Sequence, residues 1–123
     1  MPLDGTNDKI SVPDNNALDL TNNYTFEAWI YPKAFTFLGG IISKYNTNSS
    51  NGYMLRLTSS GNFRGLSFDG METADNILNA NNWYHIAAVN NNGTRTLYVN
   101  GTAVAMTGSA FVQANSDPLI IGK

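Results

Sequence analysis

Short apolar segments alternate along the whole chain with breaks rich in Gly and Asn, and no stretch sustains a helical period. The breaks carry turn signals at Asp4-Gly5, Asn22-Asn23, Gly39-Gly40, Asn51-Gly52, Ser60-Gly61, Asp69-Gly70, Asn92-Gly93 and Asn100-Gly101. The segments between them, rich in β-branched and aromatic residues, predict strands over residues 8–12, 24–31, 38–44, 53–58, 63–68, 83–89, 94–99, 102–106 and 118–121. Many short strands at such spacing predict an all-β fold, a two-sheet antiparallel β-sandwich.

Alternation is clearest from Tyr24 to Ile30. Tyr24, Phe26, Ala28 and Ile30 share one face and Thr25, Glu27 and Trp29 the other. Thr94 to Ala105 reads as a hairpin, because Asn100-Gly101 supplies the two positive-φ positions of a type I′ turn; Leu97 and Val99 then point inward and Tyr98 outward. The polar run Asn46 to Asn51 reads as a solvated hairpin loop. The expected core is Phe26, Ala28, Ile30, Leu55, Leu57, Leu66, Phe68, Trp83, Leu97 and Val99.

Composition narrows the function more than the fold. The 123 residues fit one domain, 1–123, and the 42% hydrophobic fraction is enough for one core. Only 13% are charged and the net charge is -2, with no cluster of Lys or Arg, which argues against a nucleic-acid partner. No apolar run reaches the ~20 residues of a membrane span, so no membrane insertion is expected, and the first residues lack the pattern of a signal peptide. There is no Cys, so disulfides, thiolate metal sites and thiol catalysis are ruled out.

Several segments, taken in order, resemble the laminin G-like branch of the concanavalin A-like lectin/glucanase superfamily: LDGTNDKISVPDNNALDL at 3–20, YTFEAWIYP at 24–32, GGIISK at 39–44, GYMLRL at 52–57, NNWYHIAAV at 81–89, LYVNGTAVA at 97–105 and PLIIGK at 118–123. The resemblance implies a jelly roll. It also implies a non-catalytic carbohydrate-binding or adhesion module of a secreted or surface protein, extracellular, with a glycan or cell-surface ligand as partner. Two departures stand out. Leu3 takes a place where an aromatic is usual, and the closing strand that normally follows the last matched segment has no counterpart after Gly122-Lys123. The domain is therefore expected to be incomplete at its C-terminus, with residues 8–12 lacking their neighbour and another protein chain or peptide covering the open sheet edge.

The candidate chemistry is sparse. Glucanases of the superfamily place paired carboxylates at alternate positions of one strand, about 5 Å apart in retaining enzymes. This chain has only Glu27 and Glu72, and no such pattern, so no catalytic residue is assigned. His85, the one histidine, is expected to be half-buried and hydrogen-bonded to a neighbour such as Glu27. No zinc-ligand spacing occurs. No cofactor is assigned, but calcium stays open: the resemblance offers Asp4, Asp69, Glu72 and Asp75 as metal ligands, against the plainer reading of solvated acidic loops. Glycan recognition combines aromatic faces with directed polar groups, and the residue types that fit are Trp29, Tyr31, Tyr45, Asn46, Arg56 and Tyr98, with Arg56 and Tyr98 on the same outward parity as Trp29. The competing class is a structural or assembly domain completed by strand pairing with another chain or the remaining piece of a divided domain. The Asn-x-Ser/Thr matches are no more than so Asn-rich a chain yields by chance, and they carry no functional weight.

Overall fold

The computed structural model describes residues 2–46, 48, 51–111 and 114–122. The strands are β1 (Ile10–Val12), β2 (Asn23–Ile30), β3 (Gly40–Asn46), β4 (Asn51–Leu57), β5 (Leu66–Phe68), β6 (Met71–Thr73), β7 (Tyr84–Asn91), β8 (Thr94–Val99), β9 (Thr102–Val104), β10 (Met106–Thr107) and β11 (Leu119–Ile121). One short 3₁₀ turn, Asn16–Leu18, is started by the Asn15 side chain accepting from the Ala17 N–H. The strands form two antiparallel sheets, one in the order β1-β11-β3-β4-β5-β6-β10 and the other β2-β7-β8-β9. This is the expected sandwich.

Three Asx-Gly pairs close two-residue hairpins. Asp69-Gly70 joins β5 to β6, Asn92-Gly93 joins β7 to β8 and Asn100-Gly101 joins β8 to β9. In each pair both residues have positive φ, as a type I′ turn requires. Gly52 has a different role: its φ is +99, and a Cβ there would lie 1.8 Å from the Lys44 carbonyl oxygen, so only glycine fits beside β3. The predicted loop from Asn46 to Asn51 includes Thr47, Ser49 and Ser50, which lie outside the described residues; on either side of it Asn46 pairs with Asn51.

The core lies between the sheets. Tyr24 and Phe26 of β2, Tyr53, Leu55 and Leu57 of β4, Leu66 and Phe68 of β5, Tyr84, Ile86 and Ala88 of β7, Leu97 of β8, and Leu78 from the segment between β6 and β7 form one cluster, with Ile30 and Val99 packed at its margin. One polar tie crosses it. Asp69, fully buried, accepts hydrogen bonds from the Tyr24 hydroxyl, from the Met54 N–H at 3.0 Å and from the Arg95 Nε at 3.1 Å. Burial pushes the Asp69 carboxyl above the usual aspartate range, with the three donors opposing it, and raises the Tyr24 phenol well above 10. At the core's margin, Lys44 is 1% exposed and ion-paired to Asp14 at 2.8 Å and Asp19 at 3.1 Å, and it also donates to the Asn115 carbonyl. Burial alone would lower its pKa; the two carboxylates outweigh that and raise it.

Four expectations are corrected. Trp83 is 62% exposed, because β7 turns Tyr84, Ile86 and Ala88 inward and the alternation leaves Trp83 and His85 facing out. The strand expected over 63–68 begins only at Leu66, after a turn in which Phe63 has positive φ. The segment 102–106 breaks into β9 and β10, which join different sheets, and β6 is an additional strand made by the Asp69-Gly70 hairpin. Residues 10–12 do not lack a neighbour: β1 pairs with β11, Ile10 opposite Ile121 and Val12 opposite Leu119.

Leu97→Ala is expected to lower the unfolding free energy by about 2 to 5 kcal/mol, measured by urea denaturation, since Leu97 is fully buried. Asp69→Ala should cost about 3 to 5 kcal/mol, because it strands the buried Arg95 guanidinium. A loss below 1 kcal/mol for Asp69→Ala would show that the tie contributes little.

Candidate functional site

The predicted binding residues fall on the two outer faces of the sandwich. Trp29 and Tyr98 belong to the four-stranded sheet, and Tyr31 follows directly after β2. Cross-strand pairing puts Glu27 beside Ala87, Ala87 beside Tyr98, and Trp29 beside His85. His85 Nε2 lies 2.9 Å from Glu27 Oε1, the predicted pairing, and the Trp29 and His85 rings are 5.1 Å apart. Tyr31 and Trp83 follow at 5.3 Å. The four rings make an exposed aromatic row along one side of this sheet, with Trp29 67% and Trp83 62% exposed. Trp83 is the member that sequence reasoning missed, and the parity of Tyr84, Ile86 and Ala88 was the signal that could have found it.

Tyr45 and Arg56 lie on the opposite face, not on the side of Trp29. They line a groove of about 340 Å³ on the outer surface of the seven-stranded sheet, together with Phe37, Ser43, Met54 and Ile120. The groove exists because Leu55 and Leu57 turn inward, which sends Met54 and Arg56 outward. Its aromatic walls are braced. Tyr45 stacks on Phe111 at 5.0 Å, and Phe37 meets Phe63 edge-on at 5.8 Å.

The Arg56 guanidinium sits 5.6 Å from the centre of the Tyr45 ring. Its Nε is buried and has no hydrogen-bond partner among the described residues, and the same holds for the hydroxyl of Ser67, the residue directly opposite Arg56 on β5. Burial lowers the Arg56 pKa below the usual guanidinium range, with Tyr45 and Glu72 acting against the shift. Buried donors without partners are uncommon in folded proteins. Here two of them stand side by side next to an aromatic-walled groove, an arrangement suited to hydrogen-bonding a neutral polyhydroxylated ligand while stacking on its apolar side. Asn46 does not join them: its side chain donates to Asp117 at 2.9 Å.

The four candidate metal ligands are dispersed. Asp69 is enclosed in the core by Tyr24, Met54 and Arg95. Asp4 accepts the N–H groups of Thr6 and Asn7, Glu72 accepts from the Ser59 N–H and hydroxyl, and Asp75 accepts the N–H groups of Asn62 and Arg64. Among the described residues no three His, Cys, Asp or Glu side chains come together as metal ligands do. Glu27 and Glu72 occupy opposite outer faces, too far apart to act on one glycosidic bond.

The laminin G family model, described as the concanavalin A-like lectin/glucanases superfamily, matches residues 4–123. No curated protein matches the chain.

Asp75 holds the segment 62–64 from outside the strands, and these backbone donors keep its carboxyl below the usual 3.8. A carboxylate whose folded pKa lies below its unfolded one adds stability above about 3.8, and that stability is lost as pH falls through the folded value. The thermal midpoint of the wild-type chain, followed from pH 5 down to pH 2, should therefore fall more steeply than that of Asp75→Asn below about pH 4. Parallel curves would remove Asp75 from the acid response.

Proposed function

Since the chain belongs to the laminin G family of the concanavalin A-like lectin/glucanases superfamily, we propose that it is a non-catalytic carbohydrate-binding module that takes an oligosaccharide in the groove of Tyr45 and Arg56. Membership supports a carbohydrate-binding or adhesion-type module at superfamily level, and laminin G-like domains are generally non-catalytic. Such domains typically occur in extracellular proteins, and among the described residues no helix is long and apolar enough to cross a membrane. A secreted or surface location fits the reading.

The observation that carries the groove is the pair of buried polar groups, Arg56 Nε and Ser67 Oγ, that have no partner among the described residues, beside the stacked rings of Tyr45 and Phe111. Sugar hydroxyls satisfy such donors, and a pyranose offers a C–H face to a ring. The aromatic row of Trp29 and Trp83 is flatter, and its one polar pair, Glu27 with His85, is already made. Calcium is not required by this arrangement, and a dependence on it would point to a different site.

A glycan array with and without calcium, followed by calorimetry on the best ligand, tests the proposal. Arg56→Ala should weaken binding by about tenfold to a hundredfold, the range of a hydrogen bond from a charged donor. Tyr45→Ala should also weaken it, whereas Trp29→Ala on the opposite face should leave it unchanged. Binding that disappears in Trp29→Ala and survives in Arg56→Ala would transfer the site to the aromatic row. No glycan bound under either condition would overturn the reading.

A further inference from the structure

Of the Lys and Arg side chains among the described residues, Lys9 and Lys33 stand exposed, and Lys44, Arg56, Arg64 and Arg95 are partly or fully withdrawn from water. The chain supplies partners to all but one of the second group. Lys44 has Asp14 and Asp19, Arg95 has Asp69, and Arg64 donates to the Leu78 carbonyl at 2.7 Å and to the Asn79 side chain. Arg56 is the exception. Among the described residues its guanidinium makes no hydrogen bond and no ion pair, and its contact is the face of the Tyr45 ring. Glu72 acts on it only from beyond ion-pair distance, and Glu72 Oε1 is engaged by the Ser59 N–H and hydroxyl. A cation drawn out of water without a counterion is destabilising, and here burial already works against the charge.

We propose that the groove is built for an acidic sugar: a hexuronic acid unit whose carboxylate pairs with the Arg56 guanidinium while its ring lies against Tyr45. The inference rests on the reading of the groove as an oligosaccharide site and names the class of sugar. Neutral hydroxyls meet the hydrogen-bonding needs of the groove and leave its charge unmatched. A carboxylate meets both.

The geometry favours a carboxylate on the sugar itself. All donors of a guanidinium lie in one plane, so a ring against its face leaves the edge available, where a carboxylate accepts two N–H groups at once. A pyranuronic acid carries its carboxylate on the rim of the ring and C–H groups on the faces. One such unit can therefore stack and pair together across the 5.6 Å between Arg56 and the Tyr45 centroid. The remaining lining is neutral, with Ser43 polar and Phe37, Met54 and Ile120 apolar. No acidic side chain there repels the ligand, and no second cation calls for a polyanion. With a net charge of -2, the chain as a whole does not attract a heavily sulfated polymer either. One carboxylate per site is the requirement.

The test uses trimers of galacturonate, mannuronate and glucuronate, each beside the same trimer with its carboxylates reduced to primary alcohols, titrated calorimetrically in EDTA. At least one acid trimer should bind at least about tenfold tighter than its reduced form. Arg56→Gln, which keeps a donor and removes the charge, should bring that ratio to about one. Arg56→Lys, which keeps the charge and loses the planar fork, should give a ratio between the two. The ratio is informative because a variant that merely disturbs the groove weakens both forms alike; if Arg56→Gln does not fold, Arg56→Lys and the wild-type ratio decide. Four results would overturn the inference: reduced trimers bound as tightly as the acids, a preference that persists in Arg56→Gln, a preference present with calcium and lost in EDTA, or a sulfated galactan trimer bound more tightly than every uronate. Neutral glycans bound without any preference for the acid would overturn this inference alone. Failure of every glycan, acidic or neutral, would overturn the oligosaccharide reading and this inference with it.

Discussion

The sandwich is held in register by one buried carboxylate. Asp69 sits in the tight turn between β5 and β6 of the larger sheet and receives the Tyr24 hydroxyl from β2 and the Arg95 Nε from β8 of the smaller one. A charge taken out of water is tolerated only where donors surround it, and hydrophobic contact alone lets two sheets slide. Two directed bonds from the smaller sheet to one residue do not. The aromatic cluster of Tyr24, Phe26, Tyr53 and Phe68 then packs at a fixed offset, with Tyr24 belonging both to the cluster and to the tie. Lys44 plays the corresponding part at the margin, drawing Asp14, Asp19 and Asn115 onto β3.

From that fixed offset the surfaces follow. With β2 seated over β4 and β5, the outer face of the larger sheet is free to form a groove. The outer face of the smaller sheet, by contrast, is flat and aromatic. Two chemically different surfaces thus arise from one alternation of residues, because each strand sends every second side chain away from the core.

Much of this is legible in the chain itself. The alternation from Tyr24 to Ile30 and the Asx-Gly pairs identify strands and hairpins, since both depend on local geometry. Asp69 shows why the site is harder to read. As Asp-Gly it announces a turn, and an acidic turn residue suggests a loop exposed to a cation; only the long-range approach of Tyr24 and Arg95 makes it a core residue. Arg56 and Trp29 have the same local parity but belong to different sheets, and sheet assignment is a property of the whole topology. Trp83 is the opposite case. Its exposure follows from the parity of Tyr84 and Ile86, and its size made the core the easier guess.

The pairing of β1 with β11 joins Ile10 to Ile121 across more than a hundred residues of sequence, and β11 is also the neighbour of β3. During synthesis, β3 and β4 can zip into a hairpin as soon as they emerge, whereas β1 has no ladder to join until β11 is made. The nascent domain therefore carries the free flank of β3 until β11 is made. Ile41 and Ile42 border that flank, so the interval before β11 arrives is when a chaperone has most to protect.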